Sequence, residues 1–151
     1  MISITHVIQE LGSGGAARAM LAAACASARQ GAFCHRVLSL RPPSRQGLEL
    51  ARQAAVEVVM PAARSAIFAC CGQSDIVQLE WWNSPQMDEF THSELPPLRL
   101  LAWCHVGGQS PPHIISGKFI DFLDFVVACS PFTYKCDAIQ SLAATDKFAK
   151  N

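Results

Sequence analysis

The chain has 151 residues, half of them hydrophobic and only 16% charged, with twelve basic and twelve acidic side chains that cancel. That length suits one domain with a real core; the cancelled charge leaves no electrostatic footprint for nucleic acid, and no run approaches the ~20 apolar residues that span a bilayer. So low a charge content, against roughly a quarter in typical soluble domains, points to an apolar face committed to a further domain or to self-association, and is compatible with peripheral contact at a membrane.

Residues 3–8 read as a first strand, followed by the glycine-rich turn Leu11-Gly12-Ser13-Gly14-Gly15. From Ala16 to about Gln30, Ala17, Met20, Leu21, Ala24 and Ala28 recur at helical spacing, and Gly31 stands where a helix-ending glycine belongs. The small side chains of that stripe suit a helix lying close on a sheet. Strand, glycine-rich turn and helix start together make an anion site, because glycines let backbone N–H groups approach a ligand and the first helical turn leaves its donors unpaired.

A second strand spans 34–40 and is closed by Arg41-Pro42-Pro43; a polar helix at about 45–54 leads to a third strand at 56–60, stopped by Pro61. A short helix over 62–72 ends at Gly72, and Asp75-Ile76-Val77-Gln78-Leu79-Glu80 is the fourth strand. After a polar connection with some helix at 83–95, strand five covers 98–104; a helix near 116–123 and strand six at 125–129 follow. Ser130-Pro131 opens a last helix, with serine as its N-cap and proline at its first position. Strands alternating with helices, several of them continuously apolar, predict a Rossmann-like, doubly wound α/β domain: a mostly parallel sheet with helices on both faces.

The seven cysteines form no CxxC pair and no finger-like spacing, so they read as reduced, mostly buried small hydrophobes of a cytoplasmic protein. The chain runs straight into its first strand without a basic segment and long apolar run, so no signal peptide is expected. No metal ion and no cofactor is required by this reading.

In such sheets ligands bind beyond the carboxyl ends of the strands. Gly12, Gly14 and Gly15 follow strand one, Glu80, Trp81 and Trp82 strand four, His105, Gly107 and Gly108 strand five, and Ser130 strand six. Each has a plainer explanation: a structural histidine, core tryptophans, a capping glutamate, a solvated Arg18. Their collection on one edge argues for a site. The turn also fits a loose dinucleotide fingerprint, Gly12-x-Gly14-x-x-Ala17, but strand two ends in Ser39-Leu40-Arg41 without the acidic residue that holds ribose hydroxyls. That counts against NAD and leaves an NADP-binding oxidoreductase fragment as a minor alternative.

With these residues in view, the chain resembles the N-terminal domain of retaining GT-B glycosyltransferases of the family-four type. The matching pieces are His6-Val7-Ile8 with Leu11-Gly12-Ser13-Gly14-Gly15-Ala16-Ala17-Arg18, Val37-Leu38-Ser39-Leu40, Asp75 to Trp81, Trp103-Cys104-His105, and Asp124 to Ser130. The resemblance implies a cleft shared by a nucleotide-sugar donor and a sugar or lipid-linked acceptor. In it Gly14, Gly15 and Arg18 would lie near the donor phosphates and acceptor. His105 would be the catalytic residue facing the transferred sugar, and Glu80, Trp81, Gly107 and Ser130 would line the acceptor side. Gln78 and Glu80 stand where that family often has histidines. The family's second, nucleotide-sugar-binding domain with its Glu-x7-Glu signature has no counterpart before Asn151, so the expectation is an acceptor-side half, truncated before the donor domain and inactive alone. The alternative is a stand-alone Rossmann-like binding or interaction module.

Overall fold

A computed structural model describes residues 1–61 and 63–142, and the backbone of 148–150. The order of elements is β1 (Ile2–Ile8), α1 (Gly15–Ala28), β2 (Phe33–Ser39), α2 (Arg45–Gln53), β3 (Glu57–Val59), α3 (Arg64–Gly72) and β4 (Ile76–Trp81). It continues with α4 (Pro85–Thr91), β5 (Leu100–Cys104), α5 (Gly117–Asp121), β6 (Phe125–Ala128), α6 (Pro131–Tyr134), α7 (Asp137–Leu142) and β7 (Phe148–Lys150). All seven strands join one sheet in the order β3-β2-β1-β4-β5-β6-β7, and every pairing is parallel. This is the doubly wound α/β architecture that the alternating pattern predicts.

The sheet grows one way from β1 to β3 and the other way from β4 to β7. Crossovers between parallel strands are right-handed, so the two directions send their helices to opposite faces. On one face Ile8 and Val37 pack under Ala17, Met20, Leu21 and Ala24 of α1 and Ala51 of α2. On the other, Val7, Leu38, Val77, Leu79, Ala102, Cys104 and Val126 meet Cys70, Cys71, Met87, Phe90, Ile120 and Ile139 from the remaining helices. Period-two alternation in β1 and β4 sets this up: neighbouring positions feed different cores. Over β4–β6 the α1–α2 face carries no apolar cluster among the described residues, and Leu101, Trp103, Phe125 and Val127 there stay half-buried.

Two details differ from the sequence expectation. The last helix is two short ones, because the Lys135 and Cys136 amides close three-residue turns onto Phe132 and Thr133 while the Thr133 hydroxyl donates to Val106 O at 2.8 Å. The strand β7 carries no signal strong enough to read over three residues, and extends the sheet beyond β6. The Ser130 cap is as expected, its hydroxyl accepting from Thr133 N at 3.1 Å.

Candidate functional site

The topology reverses between β1 and β4, and the carboxyl edge of the sheet at such a reversal is where ligands bind in doubly wound folds. The loop after β1 enters α1 through Gly14, whose extended backbone (φ −72°, ψ 174°) makes it the N-cap, and no side chain caps the helix. The first-turn amides of α1 therefore keep their donors open. The loop is held from behind by the β2–α2 connection. Leu11 N donates to Ser39 Oγ at 3.0 Å, Ser44 N donates to Leu11 O at 3.0 Å, and Ser13 Oγ donates to Gln46 at 2.9 Å. A side chain built onto Gly12, Gly14 or Gly15 would meet nothing within 4 Å, and none of the three has a positive φ. Neither packing nor backbone conformation demands glycine there; the space that side chains would fill is outside the protein. Arg18, exposed in the first turns of α1, donates through Nε to Ser13 O at 2.8 Å, which ties its guanidinium beside the loop.

Two strand spacings away, about 10 Å, the structure joins His105 and Glu80. The Glu80 carboxylate is fully buried and takes His105 Nε2 at 2.6 Å on Oε2; on Oε1 it takes His6 Nδ1 at 2.9 Å and Gln78 Nε2 at 2.6 Å. His6 Nε2 in turn lies 2.9 Å from His35 Nδ1, with the two rings stacked at 5.2 Å. Register explains the assembly. His6 pairs with Gln78 and Glu80 with Trp103, so residues two apart on four neighbouring strands share one face. The chain His105–Glu80–His6–His35 thus crosses β5, β4, β1 and β2. It closes off at His35 Nε2, which is sealed from solvent without a partner, as is Trp103 Nε1 beside the His105 ring.

Burial alone would raise the Glu80 carboxyl, but the hydrogen bonds from His105 and His6, joined in acid by the charge those rings carry once protonated, outweigh it and hold the group below the ordinary carboxylate range. Burial, helped by the neighbouring His6, lowers His35 below an ordinary histidine. Both shifts make the fold acid-sensitive in the same direction. The unfolded chain protonates His35 first, so stability drops as pH falls below about 6.5; Glu80 stabilises fully above about 4.3, and that contribution is lost as pH falls through its lower folded value. A melting temperature that declines in these two stages on acidification is expected, and His35→Phe should flatten the upper one. An unchanged slope in that variant would assign the loss to other groups.

The remaining sequence candidates are placed differently. Trp81 follows Glu80 and so lies on the opposite face, buried at 6% exposure and stacked on Phe119 at 4.6 Å. There it borders a hollow formed with Asn83, Ile114, Lys118 and Phe122 rather than the Glu80 cluster. A methyl group on Gly107 would lie 2.7 Å from the exposed Phe132 ring, which is free to shift, whereas Gly108, at φ +79° and packed against Ile115, is required by the backbone of the loop after β5. Ser130 is engaged as a helix cap. His6, His35 and Trp103 are members of the cluster that sequence reasoning does not single out as site residues. Their one signal is a polar or partly polar residue at alternate positions of otherwise apolar strands. Among the described residues no group of three His, Cys, Asp or Glu side chains converges as metal ligands do, and no helix is long and apolar enough to cross a membrane.

No family model matches the sequence, and no curated protein matches it. Among solved structures, the crystal structure of MurG from Acinetobacter baumannii shares the fold, with a TM-score of 0.54 and 13% sequence identity. The similarity covers 97% of this chain and 44% of that one, so the chain spans less than half the length of the protein it matches.

Proposed function

We propose that this chain is the acceptor-side half of a glycosyl-transfer cleft of the GT-B type, moving a sugar from a nucleotide-sugar donor to a sugar or lipid-linked acceptor. The observation that carries the reading is the pairing, on one edge of the sheet, of an open helix N-terminus behind three glycines that the fold itself does not require with a histidine seated on a buried carboxylate. The shared fold with MurG, a GT-B glycosyltransferase, supports it. In this reading the amides following Gly14 and the Arg18 guanidinium receive the donor phosphates, since unpaired N–H groups and the positive end of the helix dipole both favour negative charge. His105 faces the transferred sugar. A second domain supplies the grip on the nucleotide, so the 151 residues alone do not turn over. The retaining, family-four assignment and the cytoplasmic location belong to the same proposal.

The test is a titration of the 15N-labelled chain with a uridine or guanosine diphosphate. Amide shifts are expected at Gly14, Gly15, Ala16 and Ala17, with binding weak in the absence of a second domain and with no turnover of nucleotide-sugars. Shifts confined to other parts of the molecule, or robust transferase activity of this chain by itself, would overturn the reading. NADP is expected to give no shift at the end of β2, where the Ser39 hydroxyl is already committed to Leu11 N and Arg41 O.

A further inference from the structure

We propose that Glu80 is a positioning residue: it fixes His105 as the Nε2–H tautomer, and so makes the end of β5 a recognition point for a ligand hydroxyl rather than for a phosphate. Naming the hydroxyl as a sugar's rests on the reading above; the tautomer does not.

The proton positions follow from the far end of the chain. His35 Nε2 is sealed from solvent and has no partner. A bare lone pair is tolerated in such a place more readily than a bare N–H, because orphaned buried donors are the rarer and costlier case. The His35 proton therefore sits on Nδ1 and is donated to His6 Nε2, 2.9 Å away. That leaves the His6 proton on Nδ1, where it is donated to Glu80 Oε1 at 2.9 Å. A carboxylate is an acceptor only, so the 2.6 Å contact between Oε2 and His105 places the His105 proton on Nε2. With one proton on each ring, the three imidazoles and the carboxylate satisfy all three contacts. Every donor points along the chain towards Glu80.

What remains at the outer end is His105 Nδ1, an unprotonated nitrogen. It has no hydrogen bond among the described residues and is not one of the sealed atoms. The Trp103 ring, 4.9 Å from the His105 ring, flanks it, and the His105 backbone N–H donates to Trp81 O at 2.9 Å, which fixes the backbone from which the imidazole projects. A lone pair backed by a buried negative charge attracts an O–H and repels a phosphate oxygen. Phosphate is left to the α1 amides, about two strand spacings away. The two ends of the edge thus discriminate between the two parts of a sugar phosphate.

Long-range 1H–15N spectra of the histidine-labelled chain near neutral pH read the tautomers directly. The expected result is His6 and His35 as Nδ1–H and His105 as Nε2–H. Inorganic phosphate should shift the Gly15–Ala17 amides and leave the His105 Nδ1 resonance unmoved. In Glu80→Gln the amide can donate to His105 Nε2, and the Nε2–H form of His105 should be lost in favour of Nδ1–H. A wild-type His105 protonated on Nδ1, a phosphate-induced shift at that nitrogen, or an unchanged tautomer in Glu80→Gln would each overturn the proposal. If the variant does not fold, the wild-type spectra decide alone. The expected tautomers together with an inert glycine loop would remove the transfer reading and leave the positioning role standing.

Discussion

Glu80→Ala is expected to cost about 3 kcal/mol or more of folding stability, at about 1–3 kcal/mol for each buried donor left unpaired. The Glu80 carboxylate is fully buried and is the common acceptor for His105, His6 and Gln78. Its removal leaves all three donors without their common acceptor, and buried donors left unpaired lose their solvation. A surface ion pair such as Arg52–Glu49, both groups well exposed, stands in contrast and contributes little, because solvent screens it. Urea unfolding measures the difference. The double variant His6→Leu with Glu80→Leu should lose less than the sum of its single changes, because donor and acceptor then leave together. A loss below about 1 kcal/mol for Glu80→Ala would show that the cluster is solvated rather than sealed.

For Gly47→Ala the sign of the effect is the informative part. Alanine in place of a mid-helix glycine ordinarily stabilises by about 0.5–1 kcal/mol. Here Gly47 presses on the glycine-rich loop: a methyl group on it would lie 2.0 Å from Leu11 O and 2.7 Å from Leu11 C. Those atoms are backbone, in a residue pinned on both sides (Leu11 O accepts from Ser44 N and Leu11 N donates to Ser39 Oγ), and cannot swing aside like the end of a side chain. The clash outweighs the helix gain, so a net destabilisation of about 1–3 kcal/mol is expected. The amide resonances of residues 11–15 should move with it, since α2 must withdraw from the loop or push it. A more stable variant with an unmoved loop would mean that α2 does not buttress the loop.

Gly47 also shows where sequence reading stops. In the sequence it is a weak spot in a polar helix, and nothing local says that the helix crosses a backbone 36 residues earlier. Gly107 is the reverse case. Its place after strand five suggests a ligand loop, yet its neighbour Gly108 is fixed by a positive φ and by Ile115, which already gives the loop a structural reason for a glycine. Glu80 and His105 are both legible as candidates, because charged and imidazole side chains at the ends of apolar strands stand out. Their bond to each other is not.

The sequence alone determined the parallel α/β architecture, the elements up to β6 and the edge on which the glycine loop, Glu80 and His105 fall. Those features depend on local periodicity, on helix caps such as Ser130, and on the alternation of strands with helices, all of which are written within a dozen neighbouring residues. Only the tertiary structure decided that His6, His35, Glu80 and His105 form one hydrogen-bonded chain, and that Trp81 turns away from it. These contacts join residues 25, 29 and 74 positions apart. They exist because the strand register puts those residues on one face, and register between distant strands is a property of the assembled sheet.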